Sequence, residues 1–153
     1  MERLLHYVWK YRLYQTTSLL TTDGRTVSVI DPGTPNTDAG PDFFNAKMKI
    51  DGTLWAGCVE IHDKASDWLL HRHDKDKAYD AVVLHIVEVS DCIVYRMNGE
   101  VIPQMELAVP ESVVRNIDWL LHHDSSLPCA GYIPQMEPVH ITSWLGALLG
   151  ERL

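Results

Sequence analysis

The chain has 153 residues, 46% of them apolar or aromatic and 22% charged, the balance of a globular domain able to bury about 68–70% of its unfolded surface. Its net charge of −8 excludes a protein that coats nucleic acid through bulk positive charge, because non-specific affinity comes from Lys and Arg neutralising phosphates. A metal-dependent enzyme escapes that exclusion, since bound cations offset local carboxylates.

Residues 2–14 read as an amphipathic helix, with Leu4, Leu5, Val8, Trp9 and Leu13 in one stripe and Arg3, His6, Lys10 and Arg12 on a solvated face. Charge recurs every few residues in this stretch, so it reads as neither a signal peptide nor a membrane span. Asp23-Gly24 marks a turn and Thr26–Ile30 a β-branched strand. The loop IDPGTPNTDAGPD comes next, rigid with proline and rich in aspartate.

Residues 38–62 predict a β-hairpin around Asp51-Gly52, whose two residues tolerate the positive φ of a type I′ turn. Pairing Ile50 with Thr53 sets Met48 against Trp55, Ala46 against Gly57 and Phe44 against Val59, with Glu60 and His62 on the opposite face. Continued strictly, that register points Asp42 away from Glu60. A site joining the two carboxylates therefore requires the pairing to break near Pro41 or to contain a bulge.

Ser66 is placed to cap a helix running from Asp67 into the seventies, with Trp68 and Leu69 or Leu70 facing the core. Residues 81–89, AVVLHIVEV, fit a strand covered on both faces. Asp91–Arg96 and Val101–Leu107 predict a second hairpin about Asn98-Gly99, with Pro103 assigning the later strand to an edge. Pro110 opens a helix reaching His122. The expected organisation is a single α/β domain over 1–123, with α+β as the alternative, built on a mixed sheet flanked by helices. A Pro-rich connection and a terminal helix fill 124–153, Thr142 or Ser143 capping the apolar stretch Trp144–Leu153. That stretch lacks a C-cap, so it is expected to lead into a further helical region and to offer a surface for self-association.

Cys58, Cys92 and Cys129 are odd in number, widely separated and without CxxC spacing, the pattern of a reduced, cytoplasmic protein. Dinucleotide, P-loop and nucleophile-elbow motifs are absent from the sequence.

Pro41-Asp42 and Glu60-Ile61-His62, within the order helix, strand, Asp strand, Glu strand, helix, strand over residues 2–89, resemble the core of the PD-(D/E)XK nucleases. The resemblance implies a restriction-endonuclease-like core. It also implies that Asp42 and Glu60 hold Mg²⁺ or Mn²⁺, with His62 standing where that superfamily has Lys. Hard cations want oxygen ligands, and phosphodiester cleavage needs an activated water and stabilised negative charge. A histidine supplies a base or a ligand in place of a fixed charge. Asp31, Asp38 and Lys64 rank second as site residues.

IDPGTPNTDAGPDFFNAK, GTLWAGCVEIH and SDWLLHRHDKDKAYDAVVLHIVE resemble, over nearly the whole chain, the amino-terminal part of an uncharacterised bacterial family of longer proteins. That resemblance implies no established activity.

A second constellation gathers His62, His71, His73, Asp74 and His85. On a continuous helix His71 and His73 would stand about 200° apart, so both reach one ion only where the helix ends between them. Such a cluster suits zinc and other transition metals, although no HExxH motif or cysteine set accompanies it. His85 also reads as a hydrogen-bonded core residue.

Three functions stay open: a Mg- or Mn-dependent phosphodiester hydrolase acting on nucleic acid, a non-catalytic binding or assembly module on a degenerate nuclease-like fold, and a transition-metal protein.

Overall fold

In the computed structural model, which describes residues 2–122, 135 and 137–143, the chain divides into two compact units, Met1–Val113 and Val114–Leu153. The first is a mixed α/β unit on one seven-stranded sheet of order β1-β2-β4-β5-β6-β7, with β3 paired to β4. Its strands are β1 (Leu19–Leu20), β2 (Thr26–Asp31), β3 (Thr34–Pro35), β4 (Phe43–Ile50), β5 (Thr53–Lys64), β6 (Val82–Val89) and β7 (Gln104–Glu106). Pairings through β5 are antiparallel, while β5–β6 and β6–β7 are parallel. Parallel neighbours need a long crossover, and residues 65–81 provide it.

Helix α1 (Glu2–Lys10) buries Leu5, Val8 and Trp9, worth about 1.5–3 kcal/mol for each such side chain withdrawn from water. It stops four residues short of the expected Tyr14, because Arg12 turns into the left-handed region at φ 53°. Leu13 is left 40% exposed.

The hairpin of β4 and β5 keeps the expected pairs Ile50–Thr53, Met48–Trp55 and Ala46–Gly57. Asp51 and Gly52 turn it with φ values of 47° and 76°. Beyond Ala46 the expectation fails: Phe43, not Phe44, pairs with Val59, because a bulge centred on Asn45 at φ 58° adds one residue to β4. One added residue exchanges the faces. Phe43 is therefore buried and Phe44 lies 37% exposed.

At Gly57 a β-carbon would sit 2.4 Å from the Ala81 carbonyl oxygen. Only glycine lets β5 approach the start of β6 this closely, where the Cys58 amide donates to that carbonyl and the β5–β6 register shifts.

Strand β6 lies between two apolar clusters. Leu84 and Ile86 join Leu5, Trp9, Phe43 and Ile61 in one; Val82 and Val87 join Trp68, Tyr79 and Ile102 in the other. The expected two-sided burial holds from Val82 to Val87.

Helix α2 (Asp67–Leu70) is only four residues long. Ser66 does not cap it: the hydroxyl donates to Asp91 instead. Trp68 is buried, whereas Leu69 and Leu70 are both exposed. The expected second hairpin reduces to one bridge, Tyr95–Val101. Its turn is not type I′: Gly99 alone has positive φ, and Arg96 and Glu100 close a three-residue loop. Strand β7 ends the sheet order, where Pro103 predicts an edge.

Helix α3 (Glu111–His122) crosses the division between the units. In the second unit residues 138–143 are helical, and the Thr142 hydroxyl donates back to the Pro138 carbonyl. The expected terminal helix, Trp144–Leu153, and most of the Pro-rich connection lie outside the described residues.

Candidate metal centre

The bulge at Asn45 brings the two acidic residues together. With Phe43 opposite Val59, Asp42 comes opposite Glu60. The Asp42 amide donates to Glu60 Oε2 at 3.0 Å, and the Ile61 amide donates to Asp42 Oδ2 at 2.9 Å. Each carboxylate thus accepts from a backbone amide on the other's strand. His6 Nε2 approaches Asp42 Oδ2 at 3.3 Å. Helical periodicity puts His6 on a solvated face and offers no signal of this contact.

Strand β5 delivers Glu60 and His62 to the opposite face from Val59 and Ile61, as alternation requires. The crossover supplies the other histidines. Helix α2 ends at Leu70, His71 is its C-cap, and Arg72 reverses the chain at φ 62° before a 3₁₀ turn opens at His73. The condition for His71 and His73 to reach one point is therefore met.

Together, His62, His71 and His73 offer ligand atoms that all lie within 4.8 Å of one another. His62 Nε2 stands 3.1 Å from His71 Nδ1. Glu60 Oε1 lies 3.5 Å from His62 Nε2 and 3.3 Å from His73 Nε2. Tetrahedral zinc with bonds of about 2.0–2.1 Å separates its ligand atoms by about 3.3–3.4 Å. Three contacts in the cluster fall around that spacing. His62, His73 and Glu60 are buried, while His71 is exposed and opens the cluster to solvent.

Behind the cluster, His62 Nδ1 meets Nε2 of the fully buried His85 at 2.9 Å. Tyr79 stacks on His73 at 3.7 Å between ring centroids, and Trp68 lies 5.3 Å from both His73 and His85. These aromatic walls fix the imidazole planes and exclude water.

Burial, then the neighbouring His73 and His71, pull His62 down to about 4; burial and His62 pull His85 to about 3. Both are neutral near pH 7, the form that binds metals. Burial raises Glu60 above the ordinary carboxylate range, with His73 opposing it and Asp42 adding to it. For His6, burial acts downward but the Asp42 hydrogen bond and charge outweigh it, so the net shift is upward. Tyr79 is pushed up to about 12 by burial and then by the charges of Glu60 and Asp42.

Asp31 Oδ1 accepts from the Gly33 amide, and Asp38 is tied to Asn36 through its amide and carbonyl. Lys64 is exposed, its amide bonded to Asp67. Asp74 sits in the 3₁₀ turn beside His73.

Fold and site together define a mixed α/β protein with a half-open histidine–carboxylate cluster at the join between a hairpin and a parallel crossover. The chain belongs to the DUF2851 family, described as a protein of unknown function, whose model matches residues 2–153. The resemblance of the long sequence segments to an uncharacterised family is borne out by that match. No curated protein and no solved structure matches the chain. Among the described residues no helix is long and apolar enough to cross a membrane.

Proposed function

We propose that this protein binds one transition-metal ion of the zinc class through His62, His71 and His73, with Glu60 at the fourth corner, and uses it as a Lewis acid in hydrolysis. The observation that supports this most is the 3.1–3.5 Å spacing of His62 Nε2, His71 Nδ1, Glu60 Oε1 and His73 Nε2 along three contacts. A donor set rich in imidazole favours Zn, Fe, Ni or Cu over Mg. Glu60 either completes the coordination or accepts a proton from a metal-bound water on the side that His71 leaves open. The cytoplasm is the proposed setting.

A second reading, a Mg- or Mn-dependent phosphodiester hydrolase centred on Asp42 and Glu60, is favoured by the bulge that sets those residues opposite each other. Against it, Asp42 Oδ2 is engaged by the Ile61 amide and His6, while Glu60 Oε1 faces His62 and His73. Titration of metal-stripped protein with Zn²⁺, Mn²⁺ and Mg²⁺ separates the two. The first reading expects one tight Zn²⁺ per chain, weakened about a hundredfold by His71→Ala, since structural zinc affinities of about 10–16 kcal/mol shared over four ligands give about 3 kcal/mol each. Tight Mn²⁺ or Mg²⁺ binding that is indifferent to His71→Ala and lost in Asp42→Asn would replace the first reading with the second.

A further inference from the structure

His85 is fully buried in β6, directly behind His62, and it contributes no ligand atom to the proposed centre. Its Nε2 lies 2.9 Å from His62 Nδ1, while its own Nδ1 is buried without a hydrogen-bond partner among the described residues. Two neutral imidazoles at that distance share one hydrogen. Its position depends on which outer nitrogen carries the other proton.

A buried N–H with no acceptor is costlier than a buried lone pair with no donor. In the metal-free protein, therefore, His85 carries its proton on Nε2 and donates to His62 Nδ1. His62 then carries its proton on Nε2 and donates toward His71 Nδ1, 3.1 Å away. The chain His85, His62, His71 runs donor to acceptor from the core to the exposed ring. A metal ion needs the lone pair of His62 Nε2, which this arrangement occupies with a proton.

We propose that His85 is the positioning residue of the centre: it holds His62 by Nδ1 so that Nε2 faces the metal, and metal loading reverses the direction of the hydrogen bond between the two rings. The inference rests on the metal-binding reading above. On loading, the His62 Nε2 proton leaves to solvent past His71, and the shared proton moves from His85 Nε2 to His62 Nδ1. His85 takes a proton from solvent at Nδ1, which balances the one that His62 released. Each ring ends neutral with one proton, as it began, and no net charge is created in the core. Histidine ligands in general donate their second nitrogen to a partner that fixes the ring. Here the partner is itself a tautomerising ring instead of a carboxylate or carbonyl.

The test is long-range ¹⁵N–¹H correlation NMR on ¹⁵N-histidine-labelled full chain, metal-free and with one equivalent of Zn²⁺. The expected result is Nε2–H on both His62 and His85 without metal, and Nδ1–H on both with it. Unchanged tautomers on zinc binding would overturn the proposal while leaving the metal site intact. Failure of the wild-type chain to take up zinc would overturn the metal-binding reading itself, and this inference with it. Variants give a second measurement. His85→Gln keeps an acceptor for His62 Nδ1 and should bind zinc as tightly as wild type, whereas His85→Phe should lose on the order of 10–100-fold. Equal zinc affinity in folded His85→Phe and His85→Gln would also count against the positioning role, because loss of packing alone distinguishes neither Nδ1 partner.

Discussion

Asp42 and Glu60 cross-brace their strands: Glu60 Oε2 accepts from the Asp42 amide at 3.0 Å while Asp42 Oδ2 accepts from the Ile61 amide at 2.9 Å. Removing the Asp42 carboxylate leaves the Ile61 amide without that acceptor. Asp42→Ala is expected to destabilise the fold by about 1–3 kcal/mol, and Asp42→Asn, which keeps an acceptor oxygen, by less. Urea unfolding of both variants checks the order. If Asp42→Ala is as stable as wild type, the brace carries no weight.

The bulge makes that brace possible, and it can be removed. Deleting Asn45 removes the extra residue and restores strict alternation: Phe44 then comes opposite Cys58, while Phe43 stays opposite Val59 and Asp42 opposite Glu60. The deletion variant should keep the Asp42–Ile61 bond and the burial of Phe43, with β4 and β5 pairing without a break. Amide exchange at Ile61 and a structure of the variant read this directly. Asn45→Gly should likewise keep the brace, since glycine accepts the positive φ of 58° at no steric cost.

Gly57 marks where β5 and β6 crowd. A methyl group there meets the Ala81 carbonyl oxygen at 2.4 Å and Val83 Cγ1 at 2.6 Å, so Gly57→Ala forces backbone to move. A loss of about 3 kcal/mol, the upper part of the range for overpacked cores, is expected from chemical denaturation. A fully stable Gly57→Ala would mean that the strands can part at little cost.

Acidification should destabilise the metal-free protein. His62 titrates near 4 and His85 near 3 in the folded chain, against about 6.5 when unfolded. Between those values the unfolded chain binds the extra protons, so stability falls as pH drops from about 6.5 toward 4, by up to about 1.4 kcal/mol per pH unit for each such histidine. Glu60 works in the opposite direction: its folded pKa is raised, so its contribution is lost as pH rises through the carboxylate range. Unfolding midpoints measured at pH 7, 6 and 5 should fall, and the fall should be shallower in His85→Phe. Parallel slopes in the two proteins would show that His85 gains its proton without unfolding.

Part of this architecture was legible from local pattern. Alternation of apolar residues and the Asp51-Gly52 turn located the hairpin and most of its register, because side-chain period and turn geometry are properties of neighbouring residues. The continuous apolar run located β6 for the same reason. Asn45 escaped notice: Asn tolerates the left-handed region, but FFNAK also fits a regular strand, and only in the folded chain does the bulge accompany the burial of Phe43 in the core. The length of α2 escaped as well. Ser66 looks like a cap, yet its hydroxyl is drawn to Asp91, 25 residues away, and propensity is a weak prior against such contacts.

The chemistry this chain carries is written in its residue order: two acids flanking a hairpin, a histidine two positions after Glu60, and further histidines in the crossover. Which of them meet is a matter of tertiary packing. Glu60 and His62 share a strand face by local geometry, but His71 and His73 arrive through a helix broken at Leu70 and a left-handed Arg72. His85 comes from a parallel strand and His6 from the first helix. These contacts join residues from 9 (His62 to His71) to 36 (42 − 6, His6 to Asp42) positions apart. Such distances are set by which strands are neighbours and how a core closes, and those are sums over many weak contacts that no short stretch of sequence contains.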